Sequence, residues 1–192
     1  MPSRYDAAAV VIPVHNELAQ LPRCLRAVLT AALCAPIPVK IVVVLDGCDD
    51  GSDELAGEYG PDVHFIKVDV HHLGTARAVG FNYARSLFRD DHKVWFATTD
   101  ADSRVDSRWL VHQLRSGADV GFEAPAYRHV GGFRTLPTGE KADLVERFEP
   151  AGHRIHRHTE LSVIPPARTG ARTLNGVDHL RQLGRSAAGD CA

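Results

Sequence analysis

The sequence lacks the features that mark membrane, secreted and nucleic-acid-binding proteins. No apolar run approaches the roughly 20 residues that a transmembrane helix needs, and the first apolar run is too short for a signal peptide. The 22 basic residues nearly balance the 24 acidic ones, and the net charge is −2. A chain without a general basic surface is not expected to bind DNA or RNA. We therefore expect a soluble cytoplasmic protein that has no transmembrane segment and does not bind nucleic acid.

Cysteine is also scarce, and its spacing excludes the common cysteine-based sites. The four cysteines form no C-x-x-C pair and have no metal-ligand spacing, so we expect reduced thiols; they are Cys24, Cys34, Cys48 and Cys191. The remaining composition, 44% apolar and 24% charged residues, is ordinary for a globular protein. A chain of 192 residues is long enough to bury a proper core, and we expect a single domain over residues 1–192.

Strand-like apolar segments alternate with segments of helical periodicity through the first half of the chain. The continuous β-branched run at 39–45 is typical of a parallel strand covered on both faces. The pattern predicts strands at 8–12, 39–45, 64–68 and 93–99, and helices at 18–32, 52–59 and 74–88, with Asn16 as the cap of the first helix. We therefore predict an α/β fold, a three-layer α-β-α arrangement around a mostly parallel open sheet. Ligands bind such sheets beyond the carboxyl ends of the strands.

The second half of the chain does not continue this alternation. Its pattern predicts helices at 107–114, 125–130 and 138–151, extended segments within 154–163 and a last helix at 177–183. Thr138 is the expected cap of the helix at 138–151, with Glu140 in its first turn. We accordingly divide the domain into a half at 1–116 and a half at 117–192.

Two carboxylates directly follow the fourth predicted strand. Asp100 and Asp102 are two positions apart, so in extended backbone both side chains point to one side of the sheet. Carboxylate oxygens at such an edge suit Mg²⁺ or Mn²⁺, which binds through one or two carboxylates together with the phosphates of a ligand. The alternative for such a pair is a solvated acidic turn.

The other three strand ends also carry polar residues, each with two interpretations. Asp46 either accepts hydrogen bonds from a base or ribose, or serves as a turn and cap residue. Arg77 stands in the first turn of a helix whose N-terminus could hold a phosphate, or it is a solvated side chain. His15 and Asn16 either wall a base pocket or are a loop histidine and a helix cap.

Taken together, these stretches resemble a family-2 glycosyltransferase with the GT-A fold, in order and spacing, over roughly the first 115 residues. The similar segments are 10–17, 42–50, 74–78 and 99–103. The resemblance implies a nucleotide-diphospho-sugar donor, a UDP- or GDP-sugar, held on a divalent metal, Mg²⁺ or Mn²⁺. It also implies roles for single residues: base and ribose contacts from Pro13 and Glu17, a base contact from Asp46, a nucleotide contact from Arg77, and ribose, metal and diphosphate contacts from Asp100 and Asp102.

The resemblance resumes at 126–133, the segment that leads to the catalytic Glu-Asp pair of the family. An inverting transfer needs a general base for the acceptor hydroxyl, and the family usually places an Asp second in that pair. Here Glu140 is followed by Lys141, and a protonated lysine cannot act as a base. Glu140 and Asp143 therefore remain as candidate catalytic residues, and a capping role for Glu140 is the alternative.

A further departure from the family lies in the shortened acceptor region, between Val120 and Gly121. We expect an inverting, metal-dependent glycosyltransferase with an unknown acceptor, and a possible homodimer that covers the apolar surface left by the missing segment. The first alternative is a degenerate member that binds a nucleotide-sugar without turnover. A lesser alternative is a nucleotidyltransferase, although the loop at 13–17 lacks the glycines and basic side chains such enzymes use. For His153, His156 and His158 there are two interpretations, a metal site and ordinary loop histidines.

Overall fold

The computed structural model describes residues 3–116 and 121–153, which form a single sheet with helices on both faces. Its strands are β1 (Ala7–Val14), β2 (Val39–Asp46), β3 (Val63–Val68), β4 (Val94–Thr98) and β5 (Gly121–Glu123). Their order across the sheet is β3-β2-β1-β4-β5. The first four strands pair in parallel, and β5 pairs with β4 in antiparallel fashion. The predicted mostly parallel open sheet is confirmed, and the shortened region still supplies a fifth strand.

The helices follow the strands in the predicted alternation. They are α1 (Leu21–Cys34), α2 (Leu73–Ser86), α3 (Trp109–Ser116), α4 (Ala124–His129) and α5 (Glu140–Phe148). The helix predicted at 52–59 is a single 3₁₀ turn, Ser52–Leu55. In the described ranges, no helix has the length and apolar character that a bilayer crossing requires. The extended segments predicted within 154–163 and the helix predicted at 177–183 lie outside the described residues.

Two apolar layers enclose the sheet, because successive side chains of a strand point to opposite faces. Val10 and Ile12 of β1 join a core cluster with α1 and α3, whereas Val11 joins a second cluster with α2, α4 and α5. The second cluster is rich in aromatic rings that pack around Phe81 of α2. With both faces covered, β1 is buried along its whole length, as expected for a central parallel strand.

Both predicted helix caps are wrong. Helix α1 begins only at Leu21, and Asn16 instead adopts a left-handed φ of 55° and exchanges hydrogen bonds with Asp49 in the next loop. Helix α5 begins at Glu140 after Gly139, whose φ is 79°, and no side chain among the described residues caps it. At Asn16 the contact with the loop after β2 overrides the local capping signal, and at α5 the left-handed Gly139 takes the position next to the first helical residue.

Candidate functional site

The candidate site lies where the three central strands end. Val14 pairs with Leu45, and Val11 pairs with Thr98, so the loops after β1, β2 and β4 emerge side by side at one edge of the sheet. Helix α2 begins at the same edge and lies directly against β1 and β2, because Gly80 leaves no side chain between them. The order of strands reverses at β1, which is where open α/β sheets bind their ligands.

A cavity of about 230 Å³ opens at this edge. It is lined by Pro13, Val14, His15, Asp46, His71, His72, Leu73 and Ala76. The sequence-predicted residues Pro13 and Asp46 therefore meet in one cavity. Glu17 is not among the lining residues, and its carbonyl oxygen accepts the N–H of Leu21 at the start of α1.

Asp46 shapes the wall of this cavity with its carboxylate. Oδ1 accepts the backbone N–H groups of Val70 (2.8 Å) and His71 (2.9 Å), and Oδ2 accepts that of His72 (2.9 Å). The side chain is almost fully buried, since Asp46 is only 4% exposed. The Nδ1 atom of His15 lies 2.6 Å from the Asp46 carbonyl oxygen. Asp46 thus fixes the loop before α2 and at the same time lines the cavity.

The sequence pattern places the segment 69–74 at the ligand-binding edge but assigns no role to His71 or His72, which both line the cavity. The ring of His71 lies edge-on to that of His15, with centroids 6.1 Å apart, and its Nε2 is 2.8 Å from Asp69 Oδ1. The Nδ1 atom of His72 is buried and has no hydrogen-bond partner in the described structure. Their position directly after a parallel strand is the signal that marks this segment as part of the ligand-binding edge, and it does not by itself assign a role to either histidine.

An ion cluster joins α2, the loop after β4 and α5, and its residue Arg77 directly follows Ala76, which lines the cavity. The guanidinium of Arg77, which is fully buried, donates to Asp100 Oδ1 and to Glu140 Oε1, and it lies over the ring of Phe133 with its carbon 5.6 Å from the centroid. Lys141 Nζ donates to Asp100 Oδ2 over 2.7 Å. Arg77 is therefore not the solvated side chain of the alternative interpretation.

The cluster keeps Asp100 ionised. Burial by itself would raise the pKa of Asp100, but the nearby Lys141 ammonium and Arg77 guanidinium outweigh it and hold that pKa well below 3.8. Each of the two carboxylate oxygens accepts a hydrogen bond from a cation. The side chain of Asp100 is 39% exposed, so it contacts solvent as well as its two cations.

These contacts do not fit a divalent ion shared by Asp100 and Asp102. Both oxygens of Asp100 bind cations of the protein itself, and a metal ion there would have to displace Lys141. Asp102 is partly buried, with the hydroxyl of Ser103 3.5 Å from its Oδ1. Within residues 3–116 and 121–153, no three His, Cys, Asp or Glu side chains are grouped closely enough to hold a metal ion. His153 contacts His129 over 3.2 Å, and His156 and His158 lie outside the described residues.

The two candidate general bases are both paired with arginine. Glu140 is 12% exposed at its side chain and accepts from Arg77 with Oε1. Asp143 accepts from Arg147 Nε (3.0 Å) and Nη2 (2.7 Å), and Arg134 Nη1 lies 3.5 Å away. Because Glu140 is the first residue of α5, the alternative capping-box role is wrong. Arg77 links Glu140 to Asp100 because it donates to both carboxylates, whereas Asp143 belongs to a separate ion cluster.

Known structures and family models agree with this architecture. The model of glycosyl transferase family 2 matches residues 9–166. The TarS protein of S. aureus, residues 1–349, in complex with UDP-GlcNAc superposes with a TM-score of 0.64 at 10% identity, over 86% of this chain and 59% of that one. The mannosyltransferase PcManGT of Pyrobaculum calidifontis, in complex with GDP-Man and Mn²⁺, gives a TM-score of 0.59 at 18% identity, over 84% of this chain and 58% of that one.

The present chain spans less than two thirds of the length of either of these proteins. Among curated proteins, no sequence matches significantly. The similarity to TarS and PcManGT shows the fold, which is the GT-A fold predicted from the sequence. The family model covers most of the 192 residues and includes every residue of the cavity and of the ion cluster. The chain belongs to glycosyl transferase family 2.

Proposed function

We propose that this chain binds a nucleotide-diphospho-sugar at the carboxyl edge of the sheet and transfers its sugar to an acceptor hydroxyl with inversion. The observation that carries the proposal is the cavity at this edge, which lies beside the Arg77 ion cluster. A UDP- or GDP-sugar is the proposed donor, because TarS was solved with UDP-GlcNAc and PcManGT with GDP-Man. The base and ribose would lie along Pro13, His15 and Asp46.

The chain offers several groups that suit the donor. The N-terminus of α2 supplies free N–H groups and the positive end of the helix dipole, and the buried Nδ1 of His72 has no partner in the described structure. A carboxylate has about four lone-pair sites, so Asp100 can accept a ribose hydroxyl in addition to its bonds from Arg77 and Lys141. The predicted Mg²⁺ or Mn²⁺ has no role in this proposal, because Asp100 does not fit a metal ligand.

In the proposed transfer the acceptor oxygen attacks the anomeric carbon from the face opposite the diphosphate. The bond from the anomeric carbon to the phosphate oxygen breaks, the nucleoside diphosphate leaves, and the acceptor proton passes to a general base. Glu140 is the proposed base, because Arg77 binds both Glu140 and Asp100 and so holds Glu140 near the proposed donor site. Its Oε1 is bound by Arg77, so Oε2 would take the proton.

A second candidate function is binding of the nucleotide-sugar without turnover. Specific contacts favour it: the two candidate bases are paired with arginine, and Lys141 stands where the resemblance implies a catalytic aspartate. The two candidates share the donor site and differ only in whether the sugar is transferred.

The test of the donor site is a substitution that fills the cavity from its rim. Leu73 lines the cavity and is 46% exposed, so Leu73→Trp can place an indole there without disturbing the core. We expect the affinity for UDP or GDP, measured by calorimetry, to fall at least tenfold, about 1.4 kcal/mol. Leu33→Trp is the matched control, because Leu33 is 88% exposed at the end of α1. Equal affinities in the two variants would overturn the donor site.

A turnover assay then distinguishes transfer of the sugar from binding of the nucleotide-sugar without turnover. Release of free nucleotide is measured for a panel of UDP- and GDP-sugars, with wild type and with Glu140→Gln. A measurable rate that falls at least a hundredfold in the variant supports transfer with Glu140 as base, since general-base catalysis contributes about 10²–10⁴ in rate. Tight nucleotide binding without release from any donor supports the binding function.

A further inference from the structure

The charges of the ion cluster cancel within the protein itself. Arg77 and Lys141 are the two cations, and Asp100 and Glu140 are the two anions. The cluster links three separate parts of the chain, because Arg77 belongs to α2, Asp100 follows β4, and the other two residues begin α5. A divalent cation would therefore meet a neutral cluster in which both Asp100 oxygens already have a cationic donor.

Lys141 also has hydrogen-bonding capacity to spare. An ammonium group carries three N–H donors, and within residues 3–116 and 121–153 the structure gives Lys141 one acceptor, Asp100 Oδ2 at 2.7 Å. Its side chain is 25% exposed, so a ligand at the edge of the sheet can reach the ammonium group. Lysine binds phosphate as a point charge, which suits the diphosphate of the proposed donor.

We propose that Lys141 is the fixed cation of the donor site and that this chain binds a nucleoside diphosphate without a divalent ion. The inference rests on the proposed function for the location of the diphosphate. Asp100 then acts as the residue that positions the ammonium of Lys141, with Arg77 holding its other oxygen. A lysine is attached to the fold, so its charge is present at every concentration of metal.

The proposal makes opposite predictions for two substitutions. Lys141→Met keeps the length of the side chain but removes the ammonium, which changes the net charge of the cluster from zero to −1. Lys141→Asp changes it from zero to −2, the deficit that one divalent cation fills. The first variant should bind nucleoside diphosphate more weakly, and the second should bind it only when a divalent cation is supplied.

The experiment is a titration of UDP and of GDP into each protein by calorimetry, in EDTA and in MnCl₂. We expect wild type to bind with affinities that differ by less than threefold between the two buffers. Lys141→Met should lose about tenfold in EDTA, the size of one charge-assisted contact. Lys141→Asp should show no binding in EDTA and regain it in MnCl₂. Thermal unfolding of each variant verifies that it is folded.

Lys40→Met is the matched control for the loss of a lysine charge. Lys40 donates to Asp62 over 2.6 Å and is 30% exposed at its side chain, so it forms a comparable ion pair on the amino-terminal part of β2. This variant should bind UDP and GDP as wild type does in both buffers. A loss equal to that of Lys141→Met would mean that the overall charge of the protein, not Lys141, governs the affinity, and would overturn the proposal.

Two further results would overturn the proposal, and they differ from a failure of the proposed function. One is binding by wild type that requires MnCl₂, and the other is undiminished binding by Lys141→Met in EDTA. Either result leaves the donor site in place. An absence of nucleotide binding by wild type in both buffers would instead remove the donor site, and this inference with it. Titration of Mn²⁺ alone, followed by electron paramagnetic resonance, gives an independent readout: wild type should not bind the ion, and Lys141→Asp should.

Discussion

At the scale of single residues, Asp46 illustrates how one side chain can serve structure and site together. Its carboxylate accepts three backbone N–H groups from the loop before α2, and those donors would otherwise be left at a partly buried edge. An unsatisfied buried donor costs roughly 1–3 kcal/mol, so this loop conformation depends on Asp46. These bonds reach residues 24–26 positions along the chain, so Asp46 is not a local turn or cap residue, and its predicted base contact stays a prediction.

The cysteines allow a residue-scale prediction about reactivity. Burial raises the pKa of the Cys24 thiol to about 12, and the carboxylates of Asp100 and Asp102 add to this effect. Because the thiolate is the reactive form, at pH 8 only about one Cys24 in ten thousand would be ionised. Cys34, by contrast, is exposed. We expect iodoacetamide at pH 8 to label Cys34 and leave Cys24 unmodified, as measured by mass spectrometry of the peptides.

Labelling of Cys24 should appear only when the pH approaches its raised pKa or when the protein unfolds. The control is therefore the same reaction in concentrated urea, where burial is lost and both cysteines should react. Equal labelling of Cys24 and Cys34 in native protein at pH 8 would contradict the buried position of Cys24 beneath the loop at Asp100, whose carbonyl oxygen lies 3.4 Å from its Sγ.

At the scale of elements, the sequence predicted which helices and strands exist better than where they begin. The parallel strands were predictable because burial on both faces demands the continuous apolar runs seen at β1 and β2. Helix starts depend on contacts between loops. The bond of Asn16 to Asp49 joins residues far apart in sequence, and no local pattern encodes it.

The contact of α2 with the sheet gives an element-scale prediction. A Cβ atom at Gly80 would lie 2.5 Å from Val11 Cγ1 and 2.7 Å from Val44 Cγ2, and both valines are buried in central strands. Gly80→Ala should therefore force α2 away from the sheet and lower the free energy of unfolding by about 1–3 kcal/mol. This loss outweighs the gain of up to about 1 kcal/mol that alanine brings to a helix. Urea denaturation measures the difference.

Gly60→Ala is the matched control for this substitution. Gly60 has nothing within 4 Å of the position of its Cβ, and its φ lies outside the left-handed region. The control should change the free energy of unfolding by no more than about 0.5 kcal/mol. If Gly80→Ala were equally harmless, α2 could not lie as close to β1 and β2 as the structure places it.

At the scale of the whole molecule, the site combines parts that the sequence predicted with one that it did not. The strand ends converge as the order of motifs implies, because parallel strands carry their carboxyl ends to one edge. The pairing of Lys141 with Asp100 was not predictable, since it depends on where α5 packs after the shortened region. Gly74 of α2 lies close both to the segment before α5 and to α5 itself, because a Cβ atom there would lie 2.4 Å from the Arg134 carbonyl oxygen and 3.3 Å from Glu140 Cβ. The homodimer stays a prediction.

The prediction of a single domain can be tested through the two tryptophans, because both lie on one side of the sheet. Trp95 and Trp109 belong to the core cluster with α1 and α3, and they are the two tryptophans of the chain. Phe81 lies in the other cluster, with ring centroids 4.9 Å from Phe96 and 5.2 Å from Phe122. Removing the ring of Phe81 therefore perturbs one layer, while tryptophan fluorescence reports on the other.

In a single cooperative domain the two layers unfold together. Phe81→Ala should lower the free energy of unfolding by about 3–5 kcal/mol, the usual cost of an aromatic cavity in a core. The urea midpoints from tryptophan fluorescence and from far-UV circular dichroism should fall by the same amount and stay coincident. A fluorescence midpoint that remains at the wild-type value, beside an earlier transition in circular dichroism, would show that the two layers unfold separately and would contradict the single domain. Coincidence is the expected result, because β1 contributes alternate side chains to both layers, and neither layer can lose its packing while this central strand stays in place.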